Sequence, residues 1–196
     1  NGSGSVASRL CMDKYETGKI VQKLKSKGIY TANKKLVDVE IFNKFKPIDF
    51  KRYWKKLLVE LGGKSIIVKP QGDGCSAGIA RLYSAIDLEK YVEFVIKEAE
   101  CIPHSVLKNQ HGIIEMPHCA MKKMMFEQFM ITDKVRVIGN KLKWQTKTNW
   151  IEVTVGIIEN DGVLKAMNPS ITVAIGNILT LEEKFQGGTG VNITPP

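Results

Sequence analysis

The sequence is short of cysteine, arginine and long apolar runs, and each shortage removes a class of protein. Cysteine occurs only at Cys11, Cys75, Cys101 and Cys119, with no CxxC pair. That is too sparse and irregular for a disulfide-stapled secreted fold, and reduced thiols are the expectation. No apolar run approaches the roughly 20 residues a bilayer crossing needs, and no apolar segment near the N-terminus could act as a signal peptide. A soluble, cytoplasmic chain with no membrane partner is therefore expected. Only four of the 29 basic residues are arginine, which disfavours base-specific reading of nucleic acid, because bidentate guanine contacts mostly use that side chain. Glycine and proline, at 17 and 7 residues, are in ordinary proportion and exclude collagen-like or low-complexity chains.

What is present suffices for a packed core. Of 196 residues 43% are hydrophobic, and the mean hydropathy is -0.11. The net charge of +9 favours anionic partners without separating small ones from polyanions. Residues 1–11, opening NGSGS, read as a flexible lead-in and linker. A helical pattern over 12–27 stops at Gly28, and LVDVEIF (36–42) reads as a strand. Asp49 then caps an amphipathic helix in which Phe50, Tyr53, Trp54, Leu57, Leu58 and Leu61 fall on one face. SIIVK (65–69) reads as a buried strand, QGDGCSAG (71–78) as a tight loop, and 79–83 as a returning strand. Asp87 caps a second amphipathic helix through Ala99. Residues 101–123 lack periodicity and read as an insertion. Beyond them, 124–130, 134–138, 141–146 and 150–159 are strand-like, and Asn160-Asp161-Gly162 makes a hairpin turn. The expected class is α+β with a mostly antiparallel sheet and flanking helices, in two subdomains, 12–123 and 124–196.

Chemistry concentrates at Lys69 and the loop behind it. A lysine ending a buried strand is costly unless it meets an anion. A loop holding Gly72, Gly74 and Gly78 can aim several backbone N–H groups at phosphate oxygens. Together they predict a phosphate clamp, with an ordinary hairpin and a snorkelling lysine as the alternative. His104, His111 and His118 fall between Cys101 and Cys119. Four such ligands could hold tetrahedral zinc, but the spacing fits no established zinc pattern and no metal ligand is assigned.

The stretch IIVKPQGDGCSAGIARL resembles the VKP…GSSxG loop of the ATP-grasp superfamily, most closely that of D-alanine-D-alanine ligases. Four more segments agree in order: Met12-Asp13-Lys14, Phe126-Glu127-Gln128-Phe129, Ile151-Glu152-Val153-Thr154-Val155 and Leu181-Glu182-Glu183-Lys184-Phe185. The resemblance implies an ATP-grasp fold, incomplete here, and an ATP-dependent ligase that joins a carboxylate to an amine through an acyl phosphate. It implies that Lys14, Lys69 and Lys184 contact phosphate and that Gly74, Cys75 and Ser76 close over the γ-phosphate. Glu127 and Phe129 would line the adenine, and Glu152 would hold the ribose. Ser76 and Lys184 are the candidate catalytic residues. Positioned cations suit this chemistry because a transferring phosphoryl group is stabilised mainly by converging positive charge.

The departures are specific. Cys75 stands where the family has the first loop serine, and Phe185 where it has a tyrosine, which puts D-alanine specificity in doubt. Residues 132–149 form an insertion relative to the family. The resemblance places the Mg2+-binding acids and an N-terminal substrate domain outside this stretch of chain. The expectation is the ATP-binding portion of a larger ligase, inactive as this fragment, whose partners are nucleotide, small carboxylate and amine substrates, and the remaining domains. The alternatives are a basic module binding nucleic acid or another polyanion, and a regulatory nucleotide-binding pseudoenzyme domain.

Overall fold

The computed structural model describes residues 3–138, 141–173 and 191–193. The chain forms two compact units, Asn1–Phe129 and Met130–Pro196.

The first unit opens with α1 (Ser5–Met12) and α2 (Lys14–Gln22). The lead-in expected at 1–11 is therefore largely helical, although α1 buries none of its residues. Asp13 separates the two helices by capping α2, its carboxylate accepting from the amides of Tyr15 and Glu16; this satisfies donors that a helix start leaves open. After α2 a single 3-10 turn, Lys25–Lys27, ends at Gly28 with φ 78°, the left-handed stop glycine tolerates best.

Strand β1 (Lys34–Asp38) is shorter than the strand expected over 36–42. A 3-10 segment, Val39–Lys44, follows and turns Phe42 into the core. Helix α3 (Pro47–Leu61) starts at a proline, whose missing N–H costs nothing there. Asp49 is not its cap: it lies one turn inside and accepts from the Lys46 amide at 3.0 Å. Strands β2 (Ile66–Pro70) and β3 (Ala80–Leu82) flank the glycine-rich loop, and α4 (Ala85–Ile96) follows. Its cap is Ser84 rather than Asp87; Asp87, buried, accepts from the amides of Tyr83 and Lys108 instead. The segment expected to be an irregular insertion carries a short hairpin, β4 (Cys101–Ile102) with β5 (Ile114–Glu115). Gln110 fixes the loop between them, its amide donating to the carbonyls of Ile102, Pro103 and Gly112.

Strand β6 (Lys123–Gln128) completes an antiparallel sheet in the order β1-β6-β2-β3. Because it pairs with β1 and β2, the division between units falls after Phe129 rather than after residue 123. One face of the sheet carries Val37, Phe126, Ile66, Val68 and Leu82 against α3 and α4, whose Trp54, Leu57, Leu88, Tyr91 and Val92 are buried. Each such side chain contributes about 1.5–3 kcal/mol on leaving water. Phe42, Phe45, Phe50 and Tyr53 add an aromatic cluster with ring centroids 5.0–6.0 Å apart.

In the second unit the described residues form antiparallel ribbons. Strand β7 (Lys134–Ile138) pairs with β8 (Lys141–Gln145), and β9 (Ile157–Asn160) with β10 (Val163–Ala166). Strand β11 (Ile171–Val173) pairs with β12 (Val191–Ile193). The β9-β10 turn is the expected one, with positive φ at Asp161 and Gly162, which suits the twist of a tight hairpin. The strand expected over 150–159 is regular only from Ile157. Residues 151–156 carry one isolated bridge, Thr154 to Ser170, and the Gly156 carbonyl accepts from the Met167 amide at 2.8 Å. The helical piece expected around residues 181–185 lies outside the described residues.

Candidate functional site

Pairing register assembles the site. In an antiparallel sheet, directly opposed residues share a face. Lys34 lies opposite Glu127, Glu127 opposite Ile67, and Ile67 opposite Arg81, so one row crosses all four strands on the face away from α3 and α4. Lys69 is two residues beyond Ile67 on that same face, because β2 alternates and turns Ile66, Val68 and Pro70 inward.

Glu127 is the hub of this face. One carboxylate oxygen is in ion-pair contact with the Lys69 ammonium and the other is 3.7 Å from that of Lys34. At Arg81, the guanidinium lies 3.5 Å from the centroid of the Phe129 ring and 4.7 Å from that of Tyr83, while its Nε donates to Ser65. Phe129, expected to line adenine, is thus stacked on a cation.

The glycine-rich loop is fastened at both ends. At its start, the Lys14 amide donates to the Gln71 carbonyl at 3.0 Å, the Gln71 side chain donates to Asp13 at 2.7 Å, and the Lys14 ammonium donates to the Asp73 carbonyl. At its end, the Gly78 amide donates to the Glu115 carbonyl at 2.7 Å, and the Tyr91 hydroxyl donates to the Gly78 carbonyl at 2.6 Å. Tyr91 is fully buried, which pushes its phenol well above the ordinary value.

Between these anchors the backbone is left-handed at Cys75 (φ 54°) and Ser76 (φ 66°), and Asp73 has φ 145°. Non-glycine residues enter these regions at a cost of about 1–3 kcal/mol each, and such strain clusters at ligand clamps. The Gly74 amide, expected to face a phosphate, instead donates to the Asp73 carboxylate at 2.7 Å. An anion already occupies that donor.

Of the residues expected to meet phosphate, Lys14 and Lys69 converge: burial holds the Lys14 ammonium below the ordinary lysine value, and the neighbouring Lys69 charge lowers it further, against Asp73 and Asp13. Glu152 is exposed and belongs to the second unit. Lys184 lies outside the described residues. Cys101, His104, His118 and Cys119 do not gather into a zinc site; among the described residues no group of three or more His, Cys, Asp or Glu side chains could hold a metal. Lys34, Asp73 and Tyr91 were not anticipated. A lysine pair opening a strand reads as solvated, and only the β1-β6 register, across some ninety residues of sequence, brings Lys34 to Glu127.

No family model and no curated protein matches the chain. Solved structures do. D-alanyl-alanine synthetase A from Vibrio cholerae is 13% identical, with a TM-score of 0.55 over 98% of this chain and 43% of its own. The fold is ATP-grasp-like. The D-alanine-D-alanine ligase from Coxiella burnetii is 16% identical, with a TM-score of 0.47 over 84% of this chain and 34% of its own. That from Helicobacter pylori is 15% identical, with a TM-score of 0.37 over 81% and 42%. The chain spans less than half the length of each. Among the described residues no helix is long and apolar enough to cross a membrane.

Proposed function

We propose that this chain is the nucleotide-binding portion of an ATP-grasp ligase that joins a carboxylate to an amine through an acyl phosphate. The observation that carries the reading is the convergence of the Lys14 and Lys69 ammonium groups beside a strained glycine-rich loop, with Lys34 across Glu127 from Lys69. Two of these cations face Glu127, and Lys14 and Lys69 repel each other. Polyphosphate is the anion whose charge and length suit such a cluster.

In this reading Lys69 and Lys14 hold the phosphates, with Lys184 reaching the group in transfer. The amides of Gly74, Cys75 and Ser76 close over the γ-phosphate once the Asp73 carboxylate gives up the Gly74 N–H, and the Ser76 hydroxyl adds a donor. Glu127 and Phe129 line the adenine, and Glu152 accepts from the ribose hydroxyls. Magnesium would neutralise phosphate charge. The resemblance places its ligands outside this stretch of chain.

The test is calorimetric titration with ATP and with inorganic triphosphate. ATP should bind more tightly than triphosphate, Lys69→Ala should weaken both by at least about tenfold, and Glu152→Ala should weaken ATP alone by about three- to tenfold. Equal affinity for the two ligands, or no effect of Lys69→Ala, refutes the assignment. Binding that ignores the base and collapses with salt would point to the polyanion module instead.

A further inference from the structure

We propose that Lys34 is a positioning residue of this site, keeping Glu127 paired and in place when Lys69 moves from that carboxylate to a bound phosphate. The inference rests on the nucleotide reading above and extends it to a residue that contacts no ligand.

Glu127 is largely covered. Its side chain is 16% exposed, and those of Lys34 and Lys69 are 14% and 21% exposed. A carboxylate so far out of water is costly if its cation is withdrawn. A phosphate can claim Lys69 only by drawing it off Glu127. The two lysines engage different oxygens of the carboxylate, so Lys34 remains when Lys69 goes. The exchange leaves a neutral Lys34–Glu127 pair in the sheet and frees the full charge of Lys69 for phosphate.

The fold makes room for this second cation. Helix α2 buries a single residue, Gly18, and a Cβ at that position would collide with the Lys34 ammonium. Glycine inside a helix is less favourable than alanine, and here the space it leaves is filled by the end of the Lys34 side chain. The β1-β6 register, with Lys34 directly opposite Glu127, fixes the other side of the contact.

The experiment is ATP titration of the 196-residue chain and of its Lys34→Met, Glu127→Gln and doubly substituted forms. Lys34→Met should weaken ATP about five- to tenfold, and Lys34→Arg should keep affinity within about twofold. In the Glu127→Gln background the effect of Lys34→Met should vanish, because the carboxylate it serves is gone. Gly18→Ala, which displaces the ammonium but keeps its charge and favours the helix, should weaken ATP as Lys34→Met does without lowering thermal stability. A loss that persists undiminished in the Glu127→Gln background would show that Lys34 binds phosphate itself or acts only through the fold, and overturns the inference. So does ATP binding that Lys34→Met leaves unchanged, with the nucleotide reading intact. A wild-type chain that binds no ATP removes that reading and this inference together.

Discussion

Lys14 shows at the scale of one residue what an anion would gain at the proposed site. Burial of its ammonium and the neighbouring Lys69 charge hold its pKa below the ordinary lysine value. A phosphate in contact would favour the charged form and raise that pKa again. Binding therefore takes up a proton wherever the free protein has begun to lose it. Triphosphate affinity should be flat from neutrality up to the lowered pKa and fall as the pH rises through it, with a shallower fall in Lys14→Met. Titrations between neutral pH and about pH 10 check this, and affinity that climbs with pH would contradict it. Asp73 works in the opposite sense: its carboxylate holds the Gly74 amide, so the loop is closed on an anion of its own.

At the scale of the element, the turn after β8 depends on one carboxylate. Asp133 accepts from the amides of Lys147, Thr148 and Asn149 at 2.7–3.1 Å and from the Trp144 indole at 3.2 Å. The backbone bonds from Thr148 and Lys147 hold its pKa down, at about 2. A depressed acid stabilises the fold above its unfolded pKa and loses that contribution as pH falls through the folded one. Protection of the Lys147, Thr148 and Asn149 amides, measured against their intrinsic exchange rates, should thus hold down to about pH 4 and fall towards pH 2, and Asp133→Asn should lower it at neutral pH. None of this was legible in the sequence, where Asp133 sits in an unexplained insertion. Helices α3 and α4 were legible, because apolar residues at helical spacing leave one packing solution. Their first residues were not: Asp49 and Asp87 read as caps, yet both lie inside the first turn. Strand β2 and its loop were legible from SIIVK and the glycines. The partner of Lys69 was not, because an ion pair across strands is set by register rather than by neighbours in sequence.

At the scale of the whole molecule, the buried apolar residues named above belong to the first unit, whereas β9 and β10 are exposed along their full length. Stability should follow that division. Leu57→Ala, at a fully buried position, should cost about 2–5 kcal/mol in urea unfolding. Leu164→Ala, at a residue 70% exposed, should stay within about 0.5 kcal/mol. Comparable losses from both would show that the hairpin is covered in solution. The clamp on Gly78 ties the glycine-rich loop into this packed unit: one end hangs from the hydroxyl of a core tyrosine and from the β4-β5 hairpin, the other from the start of α2. The loop is thus a short span pinned at both abutments, with the strained residues 73–76 between them. Under the proposed nucleotide reading, substitutions around Glu115 or Tyr91, neither of which would touch a ligand, would act on binding only by shifting an abutment, which would make the hairpin between residues 101 and 115 a remote adjuster of the loop.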